Sequence, residues 1–316
     1  MAKNMIHLIG FGSQGSAWAQ CLAASGWHVQ IYLSKKGVSF ERASQMHLSP
    51  LLLQDLPAQI TAGTHPHRIA ILTPDSEISN IYKEWIAPVS SSVCLILAHG
   101  FALYSQELQL KHPHHQVALL APKAIGPKLL QGFLNSFPHP HRLLAASSFP
   151  PDHRVFLLAL ARALGFNEDS LIEATFDQET IGDLISEQGL LCGGLFNWMD
   201  WTLEAMIEAG IPERLIQEEC LSELELIVSL IRERGLAATF QSISQVAQAG
   251  TIAMSQRLEK SEFKKQFTAQ METVKNRKFA DFFLQSSWRQ PAQELVKRLT
   301  FWEEKIKSSK ILKESL

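Results

Sequence analysis

Along the first half of the chain, short apolar runs alternate with stretches of helical spacing. "MIHLIG" leads into a glycine turn, "SAWAQCLAAS" has helical spacing, and "HVQIYL" is a second short apolar run. Later runs are "RIAILTP", "VCLILAHG", "QVALLAP" and a weaker "RLLAASS". This alternation predicts βαβ units and a parallel sheet. The pattern changes after about Phe176. From there on no segment reads as a strand. "ETIGDLISEQGLLCGGLFNWMDWTLEAMIEA", "PERLIQEECLSELELIVSLIRER" and "SEFKKQFTAQMETVKNRKFADFFLQ" read as long helices, and Gly210-Ile211-Pro212 ends one and starts the next. The expected organisation is an α/β domain over residues 1–174 and an all-α domain over 175–316.

Composition narrows the class. The chain has 316 residues, a length that suits about two domains. Hydrophobic residues make up 46% and charged residues 19%, which describes a globular chain with substantial cores. The net charge of −2 gives no basic excess for nucleic acid or an anionic membrane. "MAKNMIHLIGFG" runs straight into a strand without the regions of a signal peptide, and no run of about 18 apolar residues suggests a membrane span. Cys21, Cys94, Cys192 and Cys220 lack CxxC spacing and sit in apolar segments. They read as reduced core thiols of a cytoplasmic protein.

The glycine turn carries the first candidate chemistry. "LIGFGSQGSA" sets Gly10, Gly12 and Gly15 in a G-x-G-x-x-G pattern between a strand and a helix start. That is the context of a Rossmann dinucleotide site. Gly10 allows the tight turn, Gly12 lets backbone approach a pyrophosphate, and Gly15 lets helix and strand pack closely. A packing turn without a ligand is the other reading. The next strand ends "IYLSKKGVS", with Ser34, Lys35, Lys36 and Ser39 and no carboxylate for a ribose 2′-hydroxyl. Hydroxyls and lysines suit a 2′-phosphate, so NADPH is the expected cofactor.

Two acid pairs raise the second question. Asp183 and Glu187 are four residues apart, as are Glu219 and Glu223, so each pair shares a helix face. The flanking sequence is apolar enough to predict buried helices. Four unpaired buried carboxylates would repel and would cost several kcal/mol each in desolvation. Divalent cations offset that cost, and oxygen ligands without His or Cys suit Mg²⁺ or Mn²⁺. The alternative is a pair of solvated helix faces.

Four islands, in order, resemble one family: "GFGSQGSAWAQ", "ILAHGFAL", "LLAPKAIG", and "FDQETIGDLISEQGLLCGGL" with "ECLSELELIVSLIRERGLAATFQSIS". They resemble ketol-acid reductoisomerase in its short, class I form, and "METVKNRKFADFF" resembles the family's last helix. The resemblance implies an NADPH-binding Rossmann domain followed by a helical, knotted domain that makes a homodimer. It implies action on 2-acetolactate or 2-aceto-2-hydroxybutyrate in branched-chain amino acid synthesis, with two Mg²⁺ ions. By the same resemblance, Asp183, Glu187, Glu219 and Glu223 are metal ligands, and Glu223 and Ser244 are substrate contacts. His99 and Lys123 fall at active-site positions. Phe11, Ser13 and Gln14 within the glycine turn, Ser34, Ser39, Asp75, Ser76, Glu77, Ile78 and Gly126 fall at nucleotide-contacting positions.

The chain also departs from the family. After "APK" it reads "AIGPKLLQ" rather than "GPG" with a Val-Arg pair. Ser34 stands where the family often has arginine, which leaves Lys35 and Lys36 as candidates for the 2′-phosphate. "SISQVAQAG" has glutamines where acids are usual. These changes describe a divergent member. The competing readings are an NADPH-dependent reductase of another keto acid or an imine, without metal, and a non-catalytic NADPH-binding dimer. The His-Pro clusters "THPHR", "KHPHHQ" and "FPHPHR" read as surface turns.

Overall fold

The computed structural model describes residues 4–61, 66–134 and 143–307. It divides into two compact units, Met1–Ile181 and Gly182–Leu316. The division falls inside a helix, Phe176–Ser186.

The first unit holds an eight-stranded sheet. Its strands are β1 (Met5–Ile9), β2 (His28–Leu33), β3 (Leu51–Leu52), β4 (His67–Ile71), β5 (Val93–Leu97), β6 (His115–Pro122), β7 (Ala145–Ser148) and β8 (Leu171–Glu173). Their order is β3-β2-β1-β4-β5-β6-β7-β8. All neighbours are parallel except β6 and β7, which run antiparallel. The six runs read from the sequence all lie in this sheet. The two added strands, β3 and β8, are only two and three residues long, too short to show a period. The direction of β7 departs from the parallel expectation, because apolar spacing carries no information about strand polarity.

Side-chain alternation builds a core on each face. In β5, Cys94 and Ile96 join one cluster with Trp18, Leu22 and Leu160, while Val93, Leu95 and Leu97 join another with Tyr32, Ile69 and Tyr82. A sheet buried on both faces needs the nearly continuous apolar strands seen here. The chain leaves β1 through helix α1 (Ser13–Ala24) to β2 on one side, and later places β4 on the other side. A crevice opens at such a switch point, at the carboxyl ends of the strands.

Two histidines of the His-Pro clusters are not surface turns. His67 and His115 are buried first residues of β4 and β6. The His115 ring bonds Tyr82 Oη through Nδ1 (3.0 Å) and Ser91 O through Nε2 (3.1 Å), so it tethers a strand end rather than a turn. His65 and the "FPHPHR" segment lie outside the described residues.

The second unit is helical, with no strand among its described residues. Each of the three long helical stretches is interrupted. Phe176–Ser186 passes through a π turn at Glu187–Leu191 into Gly193–Glu208, and Glu213–Gln217 passes through a π turn at Glu218–Ser222 into Glu223–Arg234. The third stretch breaks at Arg277, whose φ is +66°. Gly210, at φ +71°, ends its helix before Pro212 caps the next, as the sequence predicts. The buried core is small and includes Leu203, Ile216, Met271 and Val274. Buried Asp200 pairs with Arg298 at 2.8 Å and ties Gly193–Glu208 to Arg289–Lys307.

The acid-bearing helices are not buried within one chain. Leu190 is 69% exposed and Leu226 62%, and Glu187, Glu219 and Glu223 are exposed. Apolar spacing marks these helices for burial, but the described residues of the same chain leave much of that apolar surface exposed. Cys192 is likewise exposed rather than a core thiol, while Cys21 and Cys94 are buried. No helix among the described residues is long and apolar enough to cross a membrane.

Candidate active site

The glycine turn follows β1 directly. Gly10 has φ +99°, and a Cβ there would lie 2.6 Å from Leu72 O, so both conformation and space demand glycine. A Cβ on Gly15 would lie 2.4 Å from Gly10 O. Gly12 differs: a Cβ there meets no atom within 4 Å. Folding therefore does not require glycine at 12, whereas a ligand approaching the backbone does. Ser13 begins α1, and Gln14 donates from Nε2 to Ala124 O at 2.8 Å. Gly126 opens the helix Gly126–Phe133, and its Cβ would lie 2.1 Å from Ser13 O. Two helix N-termini thus meet at the glycine turn, which concentrates backbone amides where an anion binds.

Beside this turn is a cavity of about 440 Å³, lined in part by Gly10, Tyr32, Ser34, Thr73, Glu77 and Glu84. It joins the ends of β1, β2 and β4. Lys35 and Ser39 are exposed beyond the end of β2, with Ser39 in the first turn of α2 (Val38–Gln45). Asp75, Ser76, Glu77 and Ile78 form the first turn of the helix after β4. Ile78 is buried and packs into the core, so it offers a ligand backbone only.

A second group lies past the ends of β5 and β6. Glu179, with its side chain 1% exposed, accepts from Lys123 Nζ at 2.8 Å and from the Gly100 amide at 3.2 Å. It also faces His99 Nδ1 at 3.3 Å. Burial alone would raise the Glu179 carboxyl, but the bonds and charges of His99 and then Lys123 outweigh it and hold the group below its ordinary value. The His99 ring stacks near Phe101 with an interplanar angle of 12°. Gly100 is needed for this approach, because a Cβ there would lie 2.1 Å from Thr180 Oγ1.

In the second unit, Asp183 and Glu187 flank a π turn, and so do Glu219 and Glu223. A π turn is wider than an α turn, and such turns recur at functional sites. Desolvation and then the charges of Glu187 and Asp183 raise the Cys192 thiol. Among the described residues of one chain, no three of the four acids bring ligand atoms within 4.8 Å of one another. Ser244 caps the helix Gln245–Lys260, accepting from Ala247 N at 3.2 Å, and is exposed.

Residues 1–168 match the family described as "Acetohydroxy acid isomeroreductase, NADPH-binding domain", and residues 176–313 match "Ketol-acid reductoisomerase, C-terminal domain". The chain belongs to the ketol-acid reductoisomerase family. It is 32% identical over 287 residues to the ketol-acid reductoisomerase (NADP(+)) of Sulfurimonas denitrificans, covering 90% of this chain and 82% of that one. It superposes on the NADH-preferring ketol-acid reductoisomerase of an uncultured archean with a TM-score of 0.82 and 26% identity, over 98% of this chain and 95% of that one. A semialdehyde dehydrogenase NAD-binding protein from Cupriavidus necator shares the fold, with a TM-score of 0.63 and 16% identity over 87% of this chain and 99% of that one. Members of the ketol-acid reductoisomerase family are oxidoreductases, and this chain is one by its whole length rather than by its glycine turn alone.

Glu179 is the residue that sequence reasoning missed. It precedes Asp183 by four residues, so "ETIGDLISE" carries acids at 179, 183 and 187 along one line. That triplet was a legible signal. Its first member bonds Lys123 and faces His99.

Proposed function

We propose that this protein isomerises and reduces 2-acetolactate or 2-aceto-2-hydroxybutyrate, with NADPH in the first unit and two Mg²⁺ ions held by Asp183, Glu187, Glu219 and Glu223. The observation that carries the reading is the Glu179 group, a buried ionised carboxylate that holds an amine and an imidazole past the ends of two strands. The donor set fits the metal: four carboxylates and no soft ligand suit a hard cation. Because one chain does not gather three of these acids, each site takes its two pairs from two copies of the chain. The exposed apolar residues of the second unit support that homodimer, since burying them offsets the cost of leaving them in water. Glycine 12 and the paired helix N-termini fit the dinucleotide.

When bound, NADPH supplies a hydride and Mg²⁺ supplies Lewis acidity to a hydroxyl and a ketone. The protein's own groups orient the substrate and manage its proton. An ionised Glu179 accepts from His99 Nδ1–H, which puts the acceptor lone pair of the neutral ring on Nε2. Lys123 is fixed as a cation by the same carboxylate and suits the carboxylate or developing oxyanion of a 2-hydroxy-3-keto acid. Helix Phe176–Ser186 carries both Glu179 and Asp183. The test is NADPH oxidation with 2-acetolactate, with and without Mg²⁺. Turnover that is indifferent to Mg²⁺, or that appears only with other keto acids, sinks this reading.

A further inference from the structure

We infer that Arg42 is the residue that selects the 2′-phosphate of the cofactor. Ser34 lines the cavity at the end of β2, and the ionisable residues beside it there include two carboxylates, Glu77 and Glu84, but no lysine or arginine. An extra phosphate at the Ser34 end is therefore opposed from within the cavity, and its counter-charge comes from outside. Lys35 and Lys36 are exposed on the connecting segment. Arg42 is anchored. Its Nη2 donates to Phe11 O at 3.1 Å, and its guanidinium lies 5.2 Å from the centroid of the Phe11 ring.

Phe11 sits between Gly10 and Gly12, so this anchor fixes a cation against the glycine turn itself. Arg42 also lies three residues after Ser39 on α2, and the two share a helix face. A hydroxyl and a planar guanidinium on one face match a phosphate dianion, which accepts two parallel N–H bonds from arginine. Holding the guanidinium beforehand lowers the ordering cost of binding. Hydroxyls and mobile lysines alone would leave the preference for the 2′-phosphate weak. Arg42 makes it strong without an arginine at the end of β2.

The inference rests on the dinucleotide site and not on the metal ligands or on turnover, so it is tested by binding alone. The full chain is titrated with 2′,5′-ADP and with 5′-ADP, before and after Arg42→Ala and Arg42→Gln. Arg42→Gln keeps a polar side chain with an amide donor and removes the charge. Both variants should weaken 2′,5′-ADP at least tenfold and 5′-ADP less than twofold, and NADPH and NADH should divide in the same way. Equal losses for both nucleotides would assign Arg42 to the 5′-phosphates and overturn the inference. So would unchanged binding of 2′,5′-ADP, which would leave Arg42 as surface packing on Phe11.

Discussion

The two units bury their apolar residues to different degrees. In the first, the described residues put Trp18, Tyr32, Tyr82 and all of β5 out of solvent, and only six large hydrophobics are exposed. In the second, nineteen are exposed among the described residues, including Leu190, Trp201 and Leu226. The chemistry follows the same division. In the first unit Glu179 has its cation, its imidazole and its amide within one chain. The second unit presents two acid pairs that one chain does not join. One unit closes its candidate catalytic group within the chain, and the other leaves its two acid pairs apart, as the proposed homodimer requires.

The largest effect comes from breaking the second unit. Asp183→Asn keeps volume and removes charge, and it should lower Mg²⁺-dependent turnover at least ~100-fold. NADPH binding should stay within about twofold, because the glycine turn belongs to the other unit. Glu219→Gln should behave alike. Each variant alone is inactive at both sites of a homodimer. Subunits of the two variants, mixed and exchanged, form heterodimers with one intact site and one doubly damaged site. Up to roughly a quarter of wild-type turnover should return, since about half the dimers are mixed and each has one working site. No recovery after verified exchange places both pairs in one chain and removes the argument for sharing.

Next comes the first unit. Glu179→Gln keeps the shape but leaves Lys123 and His99 without their buried anion. Lys123 is partly exposed, so losing its bond to the carboxylate should cost only about 1–3 kcal/mol of stability. Turnover should fall by roughly 100-fold with substrate KM changed much less, because the orientation of the reacting groups is lost rather than their number. The metal should bind as before. If KM rises and kcat holds, Glu179 serves substrate affinity, and its part in positioning is wrong.

A smaller effect separates ligand from packing in the glycine turn. Gly12→Ala adds a methyl group that meets nothing, so the melting temperature should stay within about 2 °C. The NADPH dissociation constant should still rise about tenfold, because the methyl occupies the path of the pyrophosphate. Gly126→Ala, with Ser13 O 2.1 Å from the added carbon, should damage both. A Gly12→Ala protein that binds NADPH normally would show that the open space at this turn is not used.

How much of this was legible depended on whether a period or a partner decided it. The six longer strands showed their period, and Gly10 and Gly15 stood in a pattern whose packing reasons the structure supplies. β3 and β8 were too short to show one. The burial of His67 and His115 was hidden because "THPHR" and "KHPHHQ" look like turns, whereas both open buried strands and the His115 ring is taken up by groups distant in sequence. The exposure of the acid-bearing helices could not be read, since apolar spacing records that a face is to be buried and not which chain buries it. Glu179 was visible as one of three evenly spaced acids. Its separate role needed Lys123, which is 56 residues away.

The smallest effect tests whether the two units also differ in their response to acid. All twelve histidines of the chain precede Gly182. His7 is buried against Tyr32 Oη, and burial, followed by the charges of His67 and His28, pulls it down to about 4. His67, His115 and His153 are lowered by burial as well. The unfolded chain takes up these protons near pH 6.5, and the folded unit resists. Its stability is therefore fully present above pH 6.5 and declines as pH falls toward 4, with His7 alone accounting for at most about 3 kcal/mol. Hydrogen exchange at pH 7.5 and 5.0, corrected for intrinsic rates, should show protection lost from β1, β2 and β4 and kept in the helices after Gly182. His7→Gln keeps a partner for Tyr32 Oη and removes the titration, so it should flatten the change in β1. Equal loss of protection in both units at pH 5.0 would mean that acid acts on the whole chain, and that the histidines of the first unit do not set its response.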